Sequence, residues 1–409
     1  MLDPARTVAE LHELHALTAT EEGAQRVCWT ETWARARDWL RGKLAELPVD
    51  VEQDEAGNLW ATLAGDLPSA VVLGGHLDSV ENGGWLDGCL NTVAALEVLR
   101  RLAADGRPTT VRLVDWADEE GFRFGRSLFG SSAAAGSLQP ADFRELRDRD
   151  GVALTDALSR FGVDLERAPQ AREQLSTAAA YLELHIEQGP VLEHLGLPLA
   201  AVLGTYGVER HIVRIRGQRA HVGAAPMHLR HDAVAGAALL VLAGREIAVA
   251  RGGVTTVGTI ATPGGIVTAV APLCELSFDQ RHLDASVLAE MLAGAKAAGQ
   301  RVAEEEGLEL EWTPQWRIPP HLFDEHLVDF ADEAVRETVG SSHRMPSGAL
   351  HDAAEVAGAG VPTVMLFVQS LRGLSHNKDE DTKPEHLEAS VRALDRLADK
   401  AIQWVAAGG

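Results

Sequence analysis

The stretch from Gly74 to Asn91, GGHLDSVENGGWLDGCLN, sets His76, Asp78 and Asp87 close together, directly after the apolar run Ala70-Val71-Val72-Leu73. A short β-type run that ends in glycines and opens into a loop with an imidazole and carboxylates is how α/β enzymes present metal ligands at strand ends. His76 and Asp78 lie two apart, so on extended backbone their side chains share a side. Asp78 can then orient the imidazole while His76 binds metal.

Three further segments add to this one. Asp115-Trp116-Ala117-Asp118-Glu119-Glu120-Gly121 again closes an apolar run. Adjacent glutamates project differently, so one can bind metal while the other acts as a base, taking a proton from water and returning it to a leaving nitrogen. By itself such a run is more often a solvated acidic turn. His185-Ile186-Glu187-Gln188 follows the strand-like Tyr181–Ile186, and Leu374-Ser375-His376-Asn377 follows the apolar Thr363–Val368. His185 alone would more often be a satisfied core or rim residue, and for His376 alone the two readings are about even. Together the segments bring imidazoles and carboxylates to successive strand ends, a mixture that suits zinc or another borderline divalent metal rather than magnesium or calcium.

The elements that must position these groups alternate. Helices are expected at Val8–Leu17 and at Glu31–Leu47, where Trp33, Trp39, Leu40 and Leu44 recur at helical spacing and Pro48 stops the run. Strands follow at Leu59–Leu63 and Val71–Leu73, then a helix at Leu90–Leu102 and a strand at Val111–Trp116. That order predicts an α/β fold, a mostly parallel sheet with helices on both faces. Gln139–Ala178 is charged and without a chemical motif, and surface helices are expected there. From about Glu209 the texture changes. His211–Ile215 alternates, an alanine- and leucine-rich helix covers Ala233–Val249, Val254–Ala261 and Leu276–Arg281 read as strands, and Val287–Glu306 as a helix. This predicts a compact α+β unit over residues 209–319, inserted between residues 1–208 and 320–409 of the larger domain.

Composition bounds the partners. At 409 residues with 46% hydrophobic content, the chain can bury a large core and favours more than one domain. The formal net charge of −23, from 60 acidic against 37 basic residues, repels nucleic acid and anionic membranes. No N-terminal apolar segment resembles a signal peptide, and no run of about twenty apolar residues is expected to span a bilayer. Cys28, Cys89 and Cys274 match no disulfide or zinc-knuckle spacing, which points to a reducing cytoplasm.

In order along the chain stand GGHLDSVENGGWLDG, DEEGFRFG, HIEQGPVLE, GQRAHVGAAPMHLRHDA, FDQRH, MPSGALHDA and GLSHNKDE. This set resembles the N-carbamoyl-L-amino-acid hydrolases, allantoate amidohydrolases and β-ureidopropionases, a branch of the co-catalytic zinc aminoacylase and carboxypeptidase clan. The resemblance spans about residues 8–405. It implies two divalent metal ions, zinc first, with manganese, cobalt or nickel as alternatives. Asp87 would bridge them, His76, His185 and His376 would complete the two sides in an order left open, and Glu120 would be the remaining carboxylate ligand. Glu119 would be the general base and Asp78 the orienter of His76. The inserted unit would be the lid and dimerisation domain of a homodimer. From it His221 would reach the active site as an oxyanion donor, across the dimer, and Arg281 would grip a substrate carboxylate with its planar fork. Gln188 would bond the carbamoyl or acyl part of a small-molecule substrate, and the Gly348 loop would touch it through backbone.

The chain departs from the family pattern at Ala220, at Ala269, where an asparagine that helps hold substrate is usual, and at Asn91, where glycine is usual. All the implied metal ligands and the base persist while the pocket differs, so the expectation is retained hydrolysis of the C–N bond of an N-carbamoyl or related N-acyl amino acid, with a shifted substrate. The alternatives are an aminoacylase or dipeptidase of the same clan, and a non-catalytic binding protein, against which the intact Glu119-Glu120 pair speaks.

Overall fold

The computed structural model describes residues 1–104 and 108–409. The chain divides into two compact units, residues 1–204 with 323–409, and residues 205–322. In the first, seven strands lie side by side in the order Leu199–Thr205, Thr363–Val368, Ala178–Ile186, Leu67–His76, Thr109–Trp116, Leu59–Leu63 and Asp50–Gln53. The central four, Thr363–Val368 to Thr109–Trp116, are parallel to one another; Leu199–Thr205 and Leu59–Leu63 flank them antiparallel, and the edge strand Asp50–Gln53 is antiparallel to Leu59–Leu63. All eight residues of Thr109–Trp116 are buried. Since alternate residues face opposite sides, both faces of the sheet are covered, as a parallel sheet requires. This is the α/β architecture expected from the alternation of elements.

Helices Pro4–Thr18, Cys89–Ala104, Glu325–Val339 and Pro384–Ala406 pack on one another and on the sheet, and Phe129–Ala135 packs with Asp352–Gly358. Their starts are written locally: the Asp3 carboxylate accepts from Arg6 N–H with Pro4 in the first turn, and Thr30 Oγ1 accepts from Trp33 N–H. Helix Glu31–Leu44 ends a turn before the expected Leu47. Residues 139–178 correct the expectation of surface helices. They form two 3-10 turns and the short helix Leu154–Arg160, and Phe143, Leu154, Leu158, Val163, Leu165 and Leu175 are buried. Elements this short show no periodicity, so charged neighbours hid a buried set.

One buried ion pair fixes the strand ends. Arg37 Nε donates to Asp115 Oδ2 at 2.6 Å and its Nη2 to the Asp115 carbonyl at 2.9 Å, while Asp115 Oδ1 accepts from Leu77 N–H at 2.7 Å. Helix Glu31–Leu44 is thereby tied to the ends of the two strands that carry His76 and Glu119. Burial pushes the Asp115 carboxyl up and the Arg37 charge opposes it. Arg37→Met strands a buried carboxylate and is expected to cost about 3–5 kcal/mol, read from urea unfolding. The double variant Arg37→Met/Asp115→Asn is expected to recover much of that loss; no recovery would remove the charge argument.

The second unit is antiparallel, with strands Val254–Thr256, Leu273–His282, Gly207–Arg216 and Glu309–Ile318 in that order and Ile260–Ala261 beside Leu273–His282. Helices Ala233–Arg251 and Ala285–Glu306 pack together, closing a core of Val213, Ile215, Leu240, Cys274, Leu276 and Phe278. Glu309–Ile318 was not foreseen, because Pro314 interrupts it. Pro314 sits at a register shift on an edge strand, where its missing N–H is not needed. By length and composition alone, Ala233–Arg251 is apolar enough to cross a membrane, contrary to the expectation above, although Arg245 and Glu246 interrupt it. One of its faces, with Ala233, Gly236, Ala237, Leu240, Gly244 and Ala248, is buried in the unit. The three cysteines are buried and free.

Candidate metal centre

The four parallel strands end side by side, and the chemistry-bearing residues sit at or just beyond their carboxyl ends, where open α/β sheets place ligands. His76 is the last residue of its strand, His185 the penultimate residue of another, Glu119 and Glu120 follow the third, and His376 follows the fourth. Asp87 stands just before helix Cys89–Ala104.

Two donor groups form, and Asp87 belongs to both. Ligand atoms of His76, Asp87 and His185 lie within 4.8 Å of one another, as do those of Asp87, Glu120 and His376. Asp87 Oδ1 is 3.1 Å from His185 Nε2 and 3.7 Å from His76 Nε2. Its Oδ2 is 3.5 Å from His376 Nε2, which is 3.2 Å from Glu120 Oε2. The tautomers follow from the neighbours. His76 Nδ1 is 3.1 Å from the Asp78 carbonyl and His185 Nδ1 is 2.8 Å from the Ile186 carbonyl. Carbonyls only accept, so each Nδ1 carries a proton, and in the neutral ring, the form that binds metal, each Nε2 turns a lone pair inward. His76 Nε2 is buried and has no hydrogen-bond partner among the described residues. A buried imidazole lone pair left open among carboxylates is a donor set that fits a divalent cation.

The surroundings hold these groups in place. Glu380 Oε1 accepts from Leu86 N–H and Asp87 N–H, each at 3.0 Å, and Gln188 Nε2 and Ser375 Oγ donate to Asp87 Oδ2 at 2.9 and 2.8 Å. Gly88, at φ 66°, lies under the His76 ring, where a Cβ would come within 2.3 Å of ring carbon. The Asp78 carboxylate is 3.5 Å from His76 Nδ1 and also accepts from the N–H groups of Glu119 and Glu120 at 3.3 and 3.2 Å. It therefore orients the acidic pair as well as the imidazole.

Electrostatics reflect crowding. Burial, and beyond it the charges of Asp352, Glu120 and Asp78, push the Glu119 carboxyl well above the usual range, although His76 opposes them. Burial lowers the His76 pKa, but Glu119, Asp78 and Asp87 overcome it and raise it well above the ordinary value. Asp87 is held below the carboxylate range, against its burial, by His185, His76 and His376. Burial and the Asp87 charge lift Glu380 to about 8.

A cavity of about 220 Å³ opens on the cluster, lined by Glu119, Glu120, His376, Ser127, Gln188 and Leu350 among others. Of the residues singled out in the sequence, His76, Asp78, Asp87, Glu119, Glu120, His185, Gln188 and His376 come together. Gln188, at φ 59°, spends its Nε2 on Asp87 and Ser375, while its Oε1 is buried without a partner among the described residues. Gly348 is exposed, next to the lining residues Ala349 and Leu350. His221 and Arg281 belong to the other unit. The His221 ring is exposed and its Nδ1 accepts from Gly223 and Ala224 N–H at 3.2 Å, and Arg281 Nε pairs with Asp279 Oδ1 at 2.9 Å. Two residues were missed. Buried His351 sets its ring, tilted, 4.4 Å from that of His185, and Glu380 supports Asp87. Both lie in motifs quoted above, MPSGALHDA and GLSHNKDE, which was the available signal.

The profile of the family described as Peptidase family M20/M25/M40 matches residues 72–400. The chain is 36% identical over 380 residues to an N-carbamoyl-L-amino acid amidohydrolase of Geobacillus stearothermophilus, covering 91% of this chain and 92% of that one. It is 32% identical over 381 residues to the allantoate amidohydrolase of Escherichia coli (strain K12), covering 91% of each. A solved amidase of the hydantoinase/carbamoylase family from Burkholderia multivorans superposes with a TM-score of 0.88 at 31% identity, over 98% of both chains.

Proposed function

The chain belongs to peptidase family M20/M25/M40, and from that premise we propose that it is a metal-dependent amidohydrolase that cleaves the C–N bond of an N-carbamoyl (ureido) or related N-acyl amino acid. The observation that carries this reading is Asp87, whose two carboxylate oxygens each face a separate donor group. His76, Asp87 and His185 would hold one ion and Asp87, Glu120 and His376 a second, zinc first, with manganese, cobalt or nickel as alternatives. Bound there, divalent ions supply Lewis acidity to the scissile carbonyl and lower the pKa of water.

The chain's own groups do the rest. Glu119, which stands apart from both donor groups, takes the proton of the attacking water and returns it to the departing nitrogen. Asp78 holds the backbone of the acidic pair and the His76 ring in register. Gln188 and the loop at Gly348 serve the acyl or carbamoyl end. His221 is assigned to the developing oxyanion and Arg281 to a substrate carboxylate, both on the resemblance. Residues 209–319 are taken as a lid and dimerisation domain, and the exposed Val234, Leu239, Leu242 and Val249 of helix Ala233–Arg251 as apolar surface for a second copy. Three free, buried cysteines support a reducing, cytoplasmic setting.

The test is product analysis of the metal-loaded protein with N-carbamoyl, N-formyl and N-acetyl L-amino acids and allantoate. Ammonia from the ureido substrates is the expected result. Release of carboxylic acid from acyl substrates alone would replace this reading with that of an aminoacylase.

A further inference from the structure

The two strands that carry His76 and His185 are neighbours, yet they do not stay paired as far as those histidines. Leu67–His76 and Ala178–Ile186 pair from Ala70 opposite Ala178 to Leu73 opposite Leu182, and there the register ends. On its other side Ala178–Ile186 remains paired with Thr363–Val368 through Ile186 opposite Val368. On that side the donors are Tyr181 N–H, to the Pro362 carbonyl, and Glu187 N–H, to the Val368 carbonyl. By alternation, Leu184 N–H faces the gap that opens toward Leu67–His76.

Asn91 fills that gap. It is fully buried in the first turn of helix Cys89–Ala104, four residues after Asp87, and its Oδ1 accepts from Leu184 N–H at 2.7 Å. Leu184 N–H can only donate, so the oxygen end of the amide must face it. The same side chain lies against Gly75, where an added Cβ would come within 2.9 Å of Asn91 Cβ and 3.1 Å of its Nδ2. The amide thus touches both parted strands one residue before each histidine. Beyond it the two imidazoles stand 6.0 Å apart, with Asp87 Oδ1 within reach of both.

We propose that Asn91 is a positioning residue for the metal centre: its amide takes the place of the missing backbone bond and sets the separation at which His76 and His185 both address Asp87. This rests on the reading that His76, Asp87 and His185 hold an ion. Residues that support ligands from behind are worth about 10–100-fold in metal affinity. The wedge acts on the His76 and His185 side, because Glu120 and His376 stand on loops that follow two other strands.

The experiment is calorimetric titration of the full-length apoprotein with Zn2+, resolving two binding steps, for the wild type, Asn91→Ala, His185→Ala and Val93→Ala. Val93 is buried on the same helix, so its truncation removes packing without touching the gap. Asn91→Ala is expected to weaken the step that His185→Ala abolishes by about 10–100-fold, leaving the other step as in the wild type. Val93→Ala is expected to lower the melting temperature while both steps keep their affinity. Should Asn91→Ala not fold, Asn91→Ser carries the same expectation, since its hydroxyl is too short to reach Leu184. Unchanged affinity in the Asn91 variants, with His185→Ala still abolishing a step, overturns the role of Asn91 alone. Two unchanged steps in His185→Ala overturn the metal reading beneath it.

Discussion

Glu119→Gln is expected to lower kcat by about 10²–10⁴-fold while the protein keeps its full complement of metal. Glutamine has the shape of glutamate, so the buried space around residue 119 stays filled and the two donor groups, to which Glu119 does not belong, are undisturbed. What is lost is the lone pair that receives the water proton and the acid that returns it. Glu119 Oε2 lies 3.8 Å from His76 Nε2, beside the group but outside hydrogen-bond range. The check pairs steady-state kinetics with metal analysis of the same preparation. Wild-type turnover in the variant would remove Glu119 from the role of base, and loss of metal with loss of activity would make it a ligand instead.

Much of this site was legible because parallel sheets write their ligands in a recognisable way. An apolar run such as Val71-Val72-Leu73 that must be buried on both faces ends abruptly, and whatever polar residues follow it stand at the sheet's edge. His76, His185 and the Glu119-Glu120 pair all obey that rule, and His376 comes just after such a strand. The supporting residues did not show, for a different reason. Glu380 sits in an acidic, outwardly ordinary Asn-Lys-Asp-Glu run, and its acceptors' donors, Leu86 and Asp87 N–H, are almost three hundred residues away in sequence. Only the closed fold makes it a brace. Gln188 was read as a substrate contact; that a left-handed backbone also turns its amide nitrogen onto Asp87 was not legible, since no pattern of residue types reveals a positive φ at a glutamine. Asn91 stood out only as a departure, a larger residue where glycine is usual. In the fold it meets a need that arises only where two strands part.

Asp87→Ala is expected to remove both ions at once, and this separates a shared carboxylate from two independent sites. Asp87 Oδ1 faces His185 and His76, whereas Oδ2 faces His376. Removing the carboxylate leaves one side with two imidazoles and the other with one imidazole and one carboxylate, each short of the usual three protein ligands. Both binding steps should weaken by more than the about 100-fold upper range seen for supporting residues, and turnover should fall with them. His376→Ala, by contrast, touches only the Oδ2 side and should weaken a single step. Asp87→Asn is expected to fail almost as badly, despite its matching shape. Its new NH2 must either face the imidazole lone pairs, where it offers hydrogens to a place that needs an anion, or face Gln188 Nε2, where two donors oppose one another. The measurement is metal stoichiometry after dialysis against buffered zinc, set beside titration of the apoproteins. If Asp87→Ala and His376→Ala lose the same single ion, the carboxylate serves one side only and the two donor groups are not joined through it.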